Sequence, residues 1–248
     1  MSTSTKEHSR SKIIKKENAL RLLRDVKDIL KNPLHDTGIY YKHDETDVLK
    51  GYALIIGPAD TPYENGFFFF EIYYSPEYPY APPNVIYCTN GENIRFNPNL
   101  HRKGKVCLSI LNTWRGEQWT SCDTIRSVLL HLCGVFTPIP LLNEPGMTDD
   151  DPDVPKYTKA IEYATLNIAI GDIMTKRPGV YQPFFDMFYE EVDAHFRKKR
   201  TAILDKISRN IETQSRIHAS IRNSIYISIY NMFVDTDYSS LFTKIETI

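Results

Sequence analysis

Val48-Leu49-Lys50-Gly51-Tyr52-Ala53-Leu54-Ile55-Ile56 and Phe67-Phe68-Phe69-Phe70-Glu71-Ile72-Tyr73-Tyr74 flank the ten-residue segment Gly57-Pro58-Ala59-Asp60-Thr61-Pro62-Tyr63-Glu64-Asn65-Gly66. Both outer runs are rich in aliphatic and aromatic residues, and the middle one is made of turn formers, so the pattern reads strand, turn, strand. The same reading extends on both sides, to strands at 38–43 and 84–88 bounded by Asp44-Glu45-Thr46-Asp47 and by Ser75 to Pro83. Four strands in sequence joined by loops this short predict an antiparallel meander. Before them the period is helical. Leu22, Leu23, Val26, Ile29 and Leu30 share one face of a helix from about Arg10 to Lys31, which Asn32-Pro33 stops. Helical spacing returns at Ile125, Val128, Leu129, Leu132 and Val135, and helices are expected at about 156–175, 183–198 and 202–232, with an irregular or short helical closure after Phe233. The class is α+β.

Composition narrows the function. Thirty basic against 31 acidic residues leave a net charge of −1, which gives no electrostatic reason to expect nucleic acid or an anionic membrane as partner. No stretch approaches the roughly 20 apolar residues of a membrane helix, and the polar start Met1-Ser-Thr-Ser-Thr-Lys is unlike a secretory signal, so residues 1–9 read as a flexible N-terminus. Cys88, Cys107, Cys122 and Cys133 form neither a disulfide framework nor a Cys-x-x-Cys zinc pair. A reducing compartment, cytoplasm or nucleus, is expected, and no metal. The helix at 10–31 departs from the neutral total, with eight basic residues, Lys12, Lys15 and Lys16 among them, against three acidic. Such a face is either simply solvated or a docking surface for an acidic partner.

Chemistry concentrates between Tyr87 and Ser121, where regular periodicity fails and Asn90, Gly91, Asn97, Pro98, Asn99, Gly104 and Gly116 crowd a long loop around Cys107. Ordered loops of this length in compact domains tend to carry function. A lone cysteine before an apolar run is by base rate a small buried hydrophobe. Here Arg102, Lys103 and Lys105 would favour a thiolate, and Asn99, eight positions upstream, offers an amide donor.

Several segments in order resemble the ubiquitin-conjugating enzyme family. Gly57-Pro58-x-Asp60-Thr61-Pro62-Tyr63-x-x-Gly66-x-Phe68 is similar to its strand-turn-strand signature and Tyr78-Pro79-Tyr80-x-Pro82-Pro83-x-Val85 to its proline-rich loop. Asn97-Pro98-Asn99 stands where the family writes His-Pro-Asn, and Gly104-x-x-Cys107-Leu108-x-Ile110-Leu111 resembles its active-site segment. The insertion within Leu108–Trp119, with Asn143-Glu144-Pro145-Gly146 and Asp237-Tyr238-Ser239-Ser240-Leu241, further resembles the larger type-Z group and its very large apoptosis-inhibitor relatives.

The resemblance implies a catalytic core over 10–154 with the family's fold and a helical extension over 155–248. It implies that Cys107 receives ubiquitin, or a ubiquitin-like modifier, from an activating enzyme as a thioester and passes it to substrate lysines, usually with a ligase. ATP is spent by the activating enzyme, so no cofactor is expected on this chain. Asn99 would support the loop or the oxyanion. Asn143 stands where many members place an acid that orients the lysine, which brings in Glu144 or the run Asp149, Asp150, Asp151, Asp153. The last is read as an ordinary acidic loop. Tyr80, Ser121 and Cys122 occupy ligase-facing positions, and Trp119 is read as packing. Two other readings stand beside this one. A binding module would hold the modifier without chemistry, but such variants lack the cysteine. A Cys-His hydrolase would pair Cys107 with His101 or His131, but no orienting Asn or Asp pattern follows either.

Overall fold

The structure, a computed structural model, describes residues 14–91, 94–175, 181–217 and 223–248. Helix α1 (Lys16–Lys31) is followed by four strands, β1 (Ile39–His43), β2 (Lys50–Ile56), β3 (Phe67–Tyr73) and β4 (Asn84–Tyr87). They form the expected antiparallel sheet in the order β1-β2-β3-β4. Phe67 pairs with Ile56 and Phe70 with Ala53. The turn between β2 and β3 closes through Gly57 N–H to the Gly66 carbonyl at 2.8 Å. A Cβ on Gly57 would lie 1.7 Å from the Tyr63 carbonyl oxygen, so only glycine fits there.

Four consecutive buried phenylalanines show that β3 is covered on both faces. Phe68 packs with Phe96 and Phe136, and Phe70 with Tyr87, toward the loop core. Phe69 stacks on Phe184 and Phe188, and Phe67 meets His195 edge-on, all three from the last third of the chain. The extension is therefore the cover of one sheet face, and its buried residues join a single apolar cluster with those of the sheet.

Helix α1 begins at Lys16, with Ile14 and Lys15 outside it, while Arg10 and Lys12 lie outside the described residues. Its buried face is Asn18, Leu22, Asp25, Val26 and Ile29. Leu23 and Leu30, expected on that face, are instead about half exposed (47% and 56%), because Asp25 takes the inward position, where it accepts from Tyr78 Oη and Arg21 Nε. Helix α2 (Ile125–Gly134) starts at a capping box in which Thr124 and Ser127 bond each other's backbone N–H.

After the core come α3 (Asp153–Ala164), which runs into a π-helical stretch (Thr165–Asp172), then α4 (Gln182–Met187) and α5 (Tyr189–Ile217). The helices expected at 183–198 and 202–232 are corrected here. One helix spans 189–217, and residues 223–236 form a hairpin, β5 (Asn223–Ile227) against β6 (Met232–Thr236), ahead of α6 (Tyr238–Glu246). Along β6 buried Met232, Val234 and Thr236 alternate with exposed Phe233 and Asp235, the two-residue period of a half-buried strand. Asn231 turns the chain at φ 45°, a left-handed conformation that Asn tolerates better than most residues. Among the described residues no helix is long and apolar enough to cross a membrane.

Candidate active site

The loop carrying Cys107 is built on side-chain amides. Asn97, fully buried, donates from Nδ2 to Tyr63 Oη (2.9 Å) and to the Val135 carbonyl (2.8 Å), and its Oδ1 accepts from Asn99 N–H (2.9 Å). Asn99 then holds Cys107 from both sides, with Cys107 N–H donating to the Asn99 carbonyl (2.8 Å) and Asn99 Nδ2 to the Cys107 carbonyl (2.7 Å). Thr113 ties the chain beyond the cysteine, its Oγ1 accepting from Leu108 N–H (2.9 Å) and donating to the Val106 carbonyl (2.8 Å). Buried amides satisfied this fully fix the loop in one conformation.

Cys107 is only 3% exposed, and that burial pushes its thiol above the ordinary value. Lys105 and Arg95 pull the other way, and Glu144 adds to the rise. The positive surroundings read from the sequence are thus present but are outweighed by desolvation.

Asn143 and Glu144 diverge. Asn143 Nδ2 points into the loop, to the Val135 carbonyl (3.0 Å) and Asn97 Oδ1 (3.3 Å). Glu144 faces the hairpin. Its carboxylate accepts from Tyr230 Oη at 2.6 Å and lies 3.8 Å from Arg95 Nη2, while the Arg95 guanidinium sits 4.4 Å from the centre of the Tyr230 ring. Arg102 Nη2 donates to the Tyr230 carbonyl (3.0 Å). The turn Ser228–Asn231 is itself pinned by buried Asp153, whose carboxylate accepts from Ser228 N–H, Ser228 Oγ and Ile229 N–H at 2.8, 2.6 and 3.2 Å.

Arg95, Tyr230 and this use of Asp153 were absent from the sequence reading. The signal that would have found them is the alternation Ile225-Tyr226-Ile227 and Met232-Phe233-Val234 around Ser228–Asn231, which marks a hairpin, although nothing in it says where the turn docks. Asp149 and Asp150 remain exposed.

On a separate face, Arg21 of α1 donates to the carbonyls of Ser121 (2.8 Å) and Asp123 (3.0 Å), which sets the helix beside the exposed Ser121 and Cys122. Tyr80 is 76% exposed at the tip of the proline-rich loop, whereas Trp119 is buried and donates to the Pro79 carbonyl at 2.7 Å. Lys15 and Lys16 are exposed at the start of α1, and Lys12 lies outside the described residues. Among the described residues no histidine bonds Cys107, and His131 sits exposed on α2 with its Nδ1 2.8 Å from the Ser127 carbonyl oxygen.

The family model for ubiquitin-conjugating enzymes matches residues 21–155, more than half of the chain, and takes in every element of this loop. The chain belongs to the ubiquitin-conjugating enzyme family. Human ubiquitin-conjugating enzyme E2 Z is 44% identical over 158 residues, covering 62% of this chain and 44% of that protein. The zebrafish (Danio rerio) E2 Z is 43% identical over 158 residues, covering 62% and 48%. The human dual E2 ubiquitin-conjugating enzyme/E3 ubiquitin-protein ligase BIRC6 is 36% identical over 176 residues, covering 68% of this chain and 4% of that protein. These are the large relatives toward which the insertion after Cys107 points. The chain spans less than half the length of the human and zebrafish E2 Z proteins it matches.

Proposed function

We propose that Cys107 carries ubiquitin, or a ubiquitin-like modifier, as a thioester between an activating enzyme and a lysine. In the first step the Cys107 thiolate attacks the carbonyl of the activating enzyme's thioester, the new C–S bond forms, and that enzyme's thiolate leaves. In the second a deprotonated lysine amine attacks the Cys107 thioester, the Cys107 thiolate leaves, and an amide bond remains. Neither step calls for a histidine base, and among the described residues none bonds Cys107.

The observation that carries the reading is the paired Asn99–Cys107 bonding, 2.8 and 2.7 Å, inside a loop that belongs to the family match. With its amide spent on the Cys107 carbonyl, Asn99 acts as loop support. Of Asn143 and Glu144 only Glu144 is an acid; with its carboxylate held by Tyr230 and Arg95, it acts on the thioester through its charge, which reaches Cys107, and not by binding the incoming lysine. Partners at Tyr80, Ser121, Cys122 and the exposed start of α1 would be the ligase and the activating enzyme.

The test is a charging assay on a non-reducing gel with ATP, modifier and activating enzymes. Wild type should form a thiol-sensitive adduct, Cys107→Ala none, and Cys107→Ser a thiol-resistant one. An adduct that persists in Cys107→Ala refutes the assignment. Because burial raises the thiol, alkylation of Cys107 by iodoacetamide, followed by mass spectrometry, should keep accelerating above pH 8.5.

A further inference from the structure

Against the loop that carries Cys107 lies an open cleft of about 630 Å³ that no step of the thioester chemistry uses. One wall is the active-site loop, with Arg95, His101, Arg102, Lys103 and Lys105, and the other is the hairpin turn with Tyr230. The two walls are fixed to each other by the Arg102–Tyr230 hydrogen bond and by the stacking of Arg95 on the Tyr230 ring. The cleft therefore does not need to be assembled by its ligand.

Its charge is one-sided. Lys103 and Lys105 are exposed, and among the described residues no carboxylate pairs with Arg102, Lys103 or Lys105. The acids nearest the walls are already engaged, Glu144 with Tyr230 and Arg95, Asp153 with the backbone and hydroxyl of the turn. His101 is held below its ordinary value by burial and by the charges of Arg95 and Lys105, which outweigh the opposing charge of Glu144, so the basic side chains dominate the field on this wall. A concave surface lined with one sign of charge gathers the opposite sign.

Position decides what that anion belongs to. Lys105 stands two residues from Cys107, and the loop returns on itself through His101 N–H to the Lys105 carbonyl at 2.9 Å. An acceptor lysine reaching the thioester places its chain neighbours within about 7–10 Å, two or three residues at ~3.3 Å each. We propose that this cleft is an acceptor subsite that takes an anionic side chain, a glutamate, aspartate or phosphoserine, flanking the target lysine, so that the enzyme favours lysines in acidic surroundings. The proposal rests on the thioester reading and adds a substrate class to it. It also gives the extension a task, since its turn builds one wall.

The full chain would be charged, the activating enzyme stopped, and the thioester discharged onto peptides that share one lysine and differ in the flanking residues: Glu, phosphoserine, Gln or Arg. The acid-flanked peptides should react about five to ten times faster than the Gln peptide at low salt, an advantage largely lost in 0.5 M NaCl. Each variant is scored by its own Glu-to-Gln rate ratio, so that a general loss of rate cancels. The ratio should fall below one in Lys103→Glu/Lys105→Glu and stay at the wild-type value in Lys198→Glu, which reverses an exposed charge on α5. Equal rates for Glu and Gln peptides, or a preference that survives the double reversal, overturn the subsite while leaving the thioester reading intact. Failure to charge at all would sink the thioester reading instead. In that event, NMR titration of the uncharged protein with the same peptides decides the subsite: shifts at Lys103, Lys105 and Tyr230 amides with the acidic peptides alone support it, and their absence rejects it.

Discussion

The two regions of the molecule are held together by different forces. Residues 21–155 fix their reactive loop with amide side chains: Asn99 bonds the Cys107 carbonyl, and Asn97 and Asn143 both bond the carbonyl of Val135 at the end of α2. The extension beyond them is fixed chiefly by aromatic surface, Phe184, Phe188 and the edge of Phe67 on one sheet face, with the carboxylates of Asp153 and Glu144 holding the hairpin. Hydrogen bonds are directional and place atoms, whereas apolar burial is nondirectional and supplies free energy. The region that must present one sulfur in one place uses the first, and the region that covers a sheet face uses the second. The hairpin turn is where they meet, because Tyr230 brings a directional bond to Glu144 from the extension.

The sharpest way to break this comparison is to remove the aromatic cover. Phe188 is fully buried, stacks on Phe69 with ring centres 6.1 Å apart, and has the Lys42 ammonium 5.1 Å from its ring centre. Phe188→Ala should cost about 3–5 kcal/mol. Because the extension and the sheet share one apolar cluster, urea unfolding should remain a single transition shifted to lower midpoint. Two separated transitions would show that the sheet stands without its cover, and the division drawn here would then be one between independent folding units.

Asp153→Ala probes the meeting point. It leaves the N–H groups of Ser228 and Ile229 without their acceptor and removes the Ser228 hydroxyl's partner. The expected loss is about 2–3 kcal/mol, concentrated in the hairpin. Amide hydrogen exchange should therefore quicken across 223–236 far more than in β2 or β3. Uniform acceleration would mean that the hairpin is not a local unit. Asp153→Asn keeps an acceptor and should retain part of the protection.

Legibility in the sequence followed the same divide. The meander, the strand boundaries and the reactive loop could be read because their signals are local: a period of two, turn residues at fixed places, and a motif around Cys107. Long-range docking left no such trace. Leu23 and Leu30 lie on the helical face by spacing, yet Asp25 is the residue that goes inward, since its partners Tyr78 and Arg21 satisfy the charge there. Residues 202–232 read as helix because Ile203, Ile207 and Ile211 keep the period, and the switch to strand alternation comes only at Ile225. Glu144 was named from its place in the chain, but its hold on Tyr230, 86 positions away, exists only in three dimensions.

The smallest effect concerns protons. His195 of α5 lies 3.0 Å from Asn65 Oδ1, against the edge of Phe67, and burial first, then the charges of Lys199 and Lys198, bring it down to about 4 from an ordinary 6.5. The unfolded chain therefore binds a proton between these values that the folded chain refuses, and stability rises with pH across that window. The contribution is complete above about pH 7 and is lost as pH falls through 6.5 toward 4. Each unit is equivalent to about 1.4 kcal/mol at full strength, and partial solvent access reduces the whole to about 1–2 kcal/mol. Asp153 is depressed in the folded state, so its loss begins only near or below its ordinary 3.8 and leaves this window clear. His43 and His101 are also lowered, which makes the difference between wild type and His195→Gln the quantity to measure. Glutamine keeps a donor for Asn65 and does not titrate. Urea midpoints at pH 7.5, 6 and 5 should converge as the pH drops, because only the wild type loses the His195 share. Parallel curves would mean that water reaches this seam freely, and that the cover of the sheet is looser at α5 than the stacking at Phe184 and Phe188 implies.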